Sequence, residues 1–430
     1  MAIKQTEMKK VILLLVFILC ICNSYSQDAL SYKQDTLKLT LAEAENIFLN
    51  RNLDLIAQKY SIDSARATVI TAKLYDNPDF SFSNALYNTQ THHFFDPEES
   101  VGVSQLIRLA GKRNKAILLA ESGVNIAQFQ FYDLLRTLRF VLRNDFYNIY
   151  FLEQSSKLYR VEISSLQKII SAFEDQVKKG FMAPVDALRI KTQLYTLQAE
   201  YNNLQANIDN VQSELKLLIR ANPSSFIIPE TQVSDLTNDV LARSSYQSLV
   251  DSAIVNRPDL KALNANIVFS KYNLQLQKAF AKPDLTLGIS YDRLGSYVQD
   301  YNAIGISFPL PFFNRNQGNI RNAKIQAEVN KVQYESGLEK VKSDVTTNYI
   351  MALRAEKLLL GFDPTFEEKM KNLIDQVTIN FQKKNITMLE FLDFYDSYKQ
   401  NVLQMNQLRF NKMSALEQLN FSIGKIIFNQ

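Results

Sequence analysis

Asn77-Pro78-Asp79-Phe80-Ser81-Phe82 returns about 205 residues later as Lys282-Pro283-Asp284-Leu285-Thr286-Leu287. Outward from it the repetition continues. Asn50-Arg51-Asn52-Leu53-Asp54-Leu55 returns as Asn256-Arg257-Pro258-Asp259-Leu260, Val101-Gly102-Val103-Ser104 as Ile304-Gly305-Ile306-Ser307, and Ala120-Glu121 as Ala327-Glu328. Solenoid repeats run roughly 20–50 residues, far shorter than this period. The chain therefore reads as a duplicated half-protein, each copy setting two strand-like segments between long helical ones.

The strand-like segments alternate with period two. Phe80, Phe82 and Leu86 alternate with Ser81, Ser83 and Ala85 in a strand expected over 78–88, and, less cleanly, Val101, Val103, Gln105 and Ile107 with Gly102, Ser104 and Leu106 over 101–109. In the second copy Leu285, Leu287, Ile289 and Tyr291 alternate with Thr286, Gly288, Ser290 and Asp292 over 284–293. Ile304, Ile306, Phe308 and Leu310 do so with Gly305, Ser307, Pro309 and Pro311 over 303–311. About ten residues is the length that crosses a bilayer at a tilt of ~45°. One face is apolar and the other small and polar, the pattern of strands with lipid outside and water inside. Tyr87, Phe94, Phe95, Tyr297, Tyr301, Phe312 and Phe313 cluster near the strand ends. A soluble sheet with the same alternation is the plain alternative. Pro309 and Pro311 mark a strand-to-helix transition, since proline cannot continue a ladder. In lipid, four strands are too few, because barrels start at about eight and open edges leave peptide groups unsatisfied. Several chains must then each donate four, and their helices must pack by the same symmetry into a tube.

Between the strands, proline is absent from Pro97 to Pro184 and glycine from Gly123 to Gly180. Leu134, Leu138, Val141 and Leu142 recur at the helix period. A helix from about Lys115 to Lys179 approaches 100 Å at ~1.5 Å per residue, a coiled-coil-like rod. Similar segments run about Val185–Arg220, Gln247–Ala281, Asn316–Leu360 and Met388–Ile423. Helices turn at Gly180–Pro184 and at Lys384–Thr387. The first repeat is expected over 27–220 and the second over 247–430. An equatorial linker over 221–246 contains a short strand at Phe226-Ile227-Ile228, and Gly361-Phe362-Asp363-Pro364 is its counterpart in the second repeat.

Residues 1–26 read as a secretory signal. Lys4, Lys9 and Lys10 precede the apolar run Val11 to Ile21, and Ser24-Tyr25-Ser26 supplies small residues before the cleavage point. Lipidation at Cys22 is the rival reading. Both cysteines, Cys20 and Cys22, fall in this segment, so no disulfide or thiolate chemistry is expected of the rest. Losing Lys4, Glu7, Lys9 and Lys10 lowers the net charge from +4 to +2, with no basic stripe for nucleic acid. No later stretch is apolar enough for a membrane-spanning helix, which leaves a soluble periplasmic protein or a β-barrel. His92-His93 lies near Asp96, Glu98 and Glu99, but adjacent histidines do not easily face one ion, and no metal site is expected there. No motif suggests a catalytic centre or a bound cofactor.

With these features in place, the chain resembles the TolC family of outer-membrane efflux channels across essentially its whole mature length. The resemblance rests on Leu41-Ala42-Glu43-Ala44 with Asn50 and Asp54, and on Gln105 followed by Gly111-Lys112-Arg113. It rests also on Gly180 with Val185-Asp186-Ala187-Leu188, and on Pro309-Leu310-Pro311-Phe312-Phe313-Asn314-Arg315-Asn316-Gln317-Gly318. The Gly-Lys-Arg and Pro-Leu-Pro-Phe-Phe segments look most like the heavy-metal branch, the outer-membrane partners of cobalt–zinc–cadmium or copper pumps. The resemblance implies a mainly α protein with a membrane β-barrel: a homotrimer whose twelve strands, set in outer-membrane lipid, continue into an α-helical periplasmic tunnel. It further implies docking to a periplasmic adaptor protein and an inner-membrane efflux pump, this chain being a passive exit duct and not an enzyme. Drug or protein export is the alternative cargo, and a soluble periplasmic scaffold or adaptor the alternative class.

The family's tunnel narrows at acidic residues in the second-copy turn, which align with Glu390 and Asp393, an i, i+3 pair on one helix face. Rings of carboxylates attract cations and raise one another's pKa. Asp186 is the first-copy counterpart, expected in the bonds that hold the tip shut. Ordinary solvated helix charges are the alternative for all three. The tyrosine and arginine that latch the best-known member align with Phe381 and Ile386, so those bonds are not expected here, and Lys383 or Lys384 are the substitutes. Gly180, Phe181, Met182, Ala183, Ile386 and Met388 form an expected apolar adaptor contact, with plain turn packing as the alternative.

Overall fold

The computed structural model describes residues 35–88, 92–95, 99–179, 183–231, 241, 244–293, 298–363 and 365–428. The expected signal segment lies outside them. Helix α1 (Leu41–Arg51) opens on a capping box: Thr40 Oγ1 accepts from Glu43 N at 3.3 Å and Glu43 Oε2 accepts from Thr40 N at 2.8 Å. Asn52 then caps α2 (Leu53–Lys73), accepting from Leu55 N at 3.0 Å. The strands β2 (Asp79–Ser83), β3 (Tyr87–Asn88), β4 (His93–Phe94) and β5 (Ser100–Ile107) follow. Next comes α3 (Lys112–Lys178), 67 residues and about 100 Å long, and it returns as α4 (Pro184–Ile219). Both fall close to the expected limits.

In the second half, α5 (Tyr246–Asn256) and α6 (Pro258–Phe280) replace the single helix expected over 247–281. Pro258 takes the first helical position and holds Arg257 extended at φ −62°, ψ 120°, which breaks the rod. Strands β7 (Leu285–Asp292) and β8 (Tyr301–Ser307) lead to α7 (Gln317–Leu360), α8 (Phe366–Gln382) and α9 (Met388–Ile423).

β2, β5, β7 and β8 form one antiparallel sheet in that order, so the two halves meet along β5 and β7. Its register sorts the side chains into rows. Phe80, Val103, Ile289 and Ile304 stand opposite one another across all four strands, with Ser81, Gly102, Ser290 and Ala303 in the next row on the other face. The apolar face is bare, with Phe80 71% and Ile304 84% exposed. A Cβ at Gly102 would lie 2.7 Å from Ser81 Oγ, so a side chain there would require Ser81 to shift. The strand expected over 78–88 breaks after Ser83, and Tyr87–Asn88 turns instead into a small hairpin with β4. β2 and β8 each keep a free edge, so the sheet is open within one copy.

The rods pack side by side: α3 lies against α2 and α6 toward the sheet and against α4 and α9 away from it, while α7 lies against α6, α5 and α9. At mid-height, β6 (Phe226–Pro229) is the expected short strand; its parallel partner β1 (Thr36–Leu39) was not anticipated. Gln212 on α4 pins β6 with 2.6 and 3.0 Å bonds to the Ile227 carbonyl and amide. The apolar core at this level includes Phe48, Leu142, Phe146, Leu215 and Ile227. Through it runs a charged cluster. Arg143, 5% exposed, donates twice to Glu417 at 2.8 and 2.9 Å and once to Glu45 at 2.8 Å, tying α3 to α9 and α1. Arg257 binds Asp259 and, at 2.9 Å, Asp344 on α7.

Further down α3, Glu162 is 3% exposed and neither carboxyl oxygen has a hydrogen-bond partner among the described residues. Burial pushes its pKa up to about 8; Lys399 opposes the shift, and Asp396 and Glu200 add to it. An acid whose folded pKa lies above its unfolded value stabilises the fold at low pH and loses that contribution as pH rises through the folded pKa. Glu162→Gln is therefore expected to raise stability by on the order of 1–3 kcal/mol at pH 8 and much less at pH 5. Thermal unfolding in detergent at both pH values checks this, and an equal effect at the two would reject a neutral Glu162.

Candidate gate and docking site at the helical tip

Two helical turns lie at the end of the rods remote from the sheet. Between α3 and α4, Ala183 is extended at φ −72°, ψ 136° and Pro184 opens the helix. Gly180, Phe181 and Met182, three of the expected adaptor contacts, lie outside the described residues. Asp186 sits in the first turn of α4, half-buried, where the helix N-terminus favours an anion.

The turn between α8 and α9 is built from backbone bonds. Lys384 N donates to Phe381 O at 3.0 Å and Asn385 N to Asn380 O at 2.9 Å. That pair is a Schellman closure, with Lys384 left-handed at φ 62° where glycine is usual. Thr387 then caps α9. Its N–H and hydroxyl donate to Glu390 Oε2 at 2.7 and 2.8 Å, and Glu390 N returns a bond to Thr387 Oγ1 at 3.2 Å. The bond from the Thr387 backbone, then that from its hydroxyl, holds the Glu390 carboxyl below the usual carboxylate range. Within one copy, then, Glu390 is a capping acid that stays ionised, the opposite of the upward shift expected of crowded carboxylates. Its stabilising contribution exists above the ordinary glutamate pKa and is lost as pH falls through the depressed one. Thr387-Met388-Leu389-Glu390 was readable as a capping box from its spacing alone. Asp393, exposed one turn on, has no such partner among the described residues.

Below the turns lies an aromatic core. Phe381 and Phe391 stack at 4.2 Å with planes 10° apart, Phe173 meets Phe381 edge-on at 5.4 Å, and Tyr395 donates to the Glu162 carbonyl at 2.9 Å. Phe381, at a latch position of the resemblance, is thus a packing residue. Met388 is also turned inward, 9% exposed, and Ile386 is half-buried, so neither presents the open apolar patch expected of them. Among the described residues, the exposed apolar side chains near the tip include Val185, Leu188, Ile379, Leu389 and Phe394, together with the small Ala183. Val185 and Leu188 are three residues apart and off the buried seam of Ile190, Leu194 and Leu197, a spacing that the sequence carried.

Away from the tip, His92 Nδ1 lies 3.1 Å from Tyr87 Oη, and Glu99 pairs with Arg293 at 3.8 Å; Asp96 and Glu98 lie outside the described residues. Among the described residues no helix is long and apolar enough to cross a membrane.

Known proteins resemble this chain in sequence and in fold. The profile of the outer membrane efflux protein family matches residues 46–219 and 249–425. The cobalt-zinc-cadmium resistance protein CzcC of Cupriavidus metallidurans is 22% identical over 361 residues, 83% of this chain and 82% of that one. The toxin and drug export protein A of Aggregatibacter actinomycetemcomitans is 21% identical over 280 residues, 63% of this chain and 60% of that one. The crystal structure of CusC superposes with a TM-score of 0.71 at 15% identity, covering 94% of this chain and 96% of that one.

The turn chemistry has measurable consequences. Lys384→Gly is expected to stabilise by about 0.5–1 kcal/mol by removing a side chain from a left-handed residue. Thr387→Ala is expected to cost ~1 kcal/mol as a lost cap. Denaturant unfolding measures both; a destabilising Lys384→Gly would contradict the turn described.

Proposed function

Because the chain belongs to the outer membrane efflux protein family, we propose that three copies assemble into one outer-membrane channel, the passive exit duct of a tripartite efflux pump. The observation that carries this reading is the open four-stranded sheet, apolar on one face, small and polar on the other, and unpaired at both edges. Three such sheets supply twelve strands, enough to enclose water in lipid. The rods α3, α4 and α6 to α9 continue the barrel as a periplasmic tunnel. A periplasmic adaptor docks at its lower end through Ala183, Val185, Leu188 and Leu389, with Gly180, Phe181 and Met182 as further contacts, and an inner-membrane pump supplies the energy.

Heavy-metal cations are the favoured cargo, supported by the relative named for cobalt, zinc and cadmium resistance. The relative named for toxin and drug export supports the second reading. Asp186, Glu390 and Asp393 begin helices at the tip, and three copies set nine carboxylates around one axis, an electrostatic filter for cations. Of the three, Asp393 is the acid placed to meet a cation, because Glu390 is engaged by Thr387 and Asp186 is half-buried.

Two experiments decide these points. In planar bilayers, divalent cations are expected to reduce the current of the wild type severalfold, and Asp393→Asn to relieve most of that block. An unaltered block in Asp393→Asn would remove Asp393 from the gate. Cells lacking the chain are expected to lose resistance to cobalt, zinc, cadmium or copper salts; sensitivity to dyes and drugs instead would favour the second cargo.

A further inference from the structure

The duplication is geometrically regular. Asn52 and Arg257, which separate paired helices, stand 205 residues apart, as do Gly111 and Asn316, the left-handed residues that open α3 and α7. The hairpins obey the same offset. Ser81 pairs with Gly102, Phe82 with Val101 and Ser83 with Ser100. Adding 205 to each gives Thr286 with Ser307, Leu287 with Ile306 and Gly288 with Gly305, all of which are formed. The structural counterpart of Gly102 is therefore Ser307, two residues from the Gly305 that sequence similarity suggests.

Inside one copy the halves are joined by β5 and β7, with Val101 opposite Tyr291, Gly102 opposite Ser290 and Gln105 opposite Leu287. The same junction, displaced by one half-repeat, would bring the free edge of β8 against the free edge of β2 on another copy. Resting on the channel reading above, we propose that the seam between copies repeats this register. Ile306 then stands opposite Leu86 of the next copy, Ser307 opposite Ala85 and Leu310 opposite Phe82.

The residues suit the match. Ile306, Leu86, Leu310 and Phe82 are each at least 60% exposed in one copy and would form one apolar row. Ser307 and Ala85 are small enough for the other face. Pro309 and Pro311 are two apart, so their missing N–H groups fall on a single edge of the chain. The charges also complement. At the internal junction Asp284 accepts from Lys112 Nζ and Leu109 N at 2.7 and 2.9 Å. Among the described residues of one copy, its counterpart Asp79 has no such partner, and Arg315, two residues before the Lys112 counterpart Gln317, has no acidic one. Each edge thus carries one unspent charge, of opposite sign.

Cysteine cross-linking in isolated outer membranes tests the register, since the only native cysteines are Cys20 and Cys22. Ala85→Cys with Ser307→Cys is expected to give covalent dimers and trimers on mild oxidation, severalfold more than Ser83→Cys with Ser307→Cys. Preferential linking of the Ser83 pair overturns the register, as does absence of linking in both pairs from protein that still runs as a trimer in detergent; either leaves the channel reading intact. A second measurement avoids new thiols. Asp79→Arg and Arg315→Asp singly are expected to weaken the trimer in detergent, and together to restore it; no restoration counts against the seam. A wild type that is monomeric and non-conducting would instead sink the channel reading itself.

Discussion

Peptide groups that enter hydrocarbon have no water to bond, and each one left open costs several kcal/mol. On the channel reading proposed above, this constraint governs the molecule from its top downward. Four strands bond to one another and leave two rows of donors and acceptors bare, at β2 and β8. If neighbours complete the sheet, the helices hung from it become neighbours too. That accounts for rods which carry apolar side chains beyond those buried within one copy, such as Ile325, Val332 and Met351 on α7.

The opposite economy operates at mid-height, where charges are taken out of water. Arg143 reaches α1 and α9, Arg257 reaches α7, and Lys412 meets Glu356 at 3.3 Å with both almost fully buried. Exchanging such pairs for well-packed hydrophobes is often neutral or stabilising, whereas removing one member is costly. Their value here lies in direction. Leucine seams permit a long helix to slide by a turn against its neighbour, but a guanidinium held by two carboxylates from different helices permits one height only.

Much of this was legible in the residues. The helical rods, the four strands and the mid-height strand at Phe226 followed from proline and glycine spacing and from period two. What escaped detection did so for definable reasons. β1 is four residues long and gains its identity from β6, which no local pattern announces. The offset of Ile304-Gly305-Ile306 from its true counterpart is two residues, a displacement that keeps every side chain on the same face and so leaves the pattern unchanged. At the tip, Glu390 and Asp393 looked equivalent because both are acids on one helix face; the hydroxyl of Thr387 separates them. Met388 was misplaced because a residue beginning a helix can still belong to the core beneath the turn.

On the channel reading, the face of the sheet turned to water carries Ser81, Gly102, Ser290 and Ala303 at its middle, with Asp79, Ser104, Gly288 and Gly305 beside them, little of it longer than a hydroxymethyl group. Larger groups stand toward the strand ends, Asp292 and Tyr301 at one and Leu106 at the other. Such a pipe would be smooth at half its depth, and any grip on a passing solute would fall to its two rims or to the helices below.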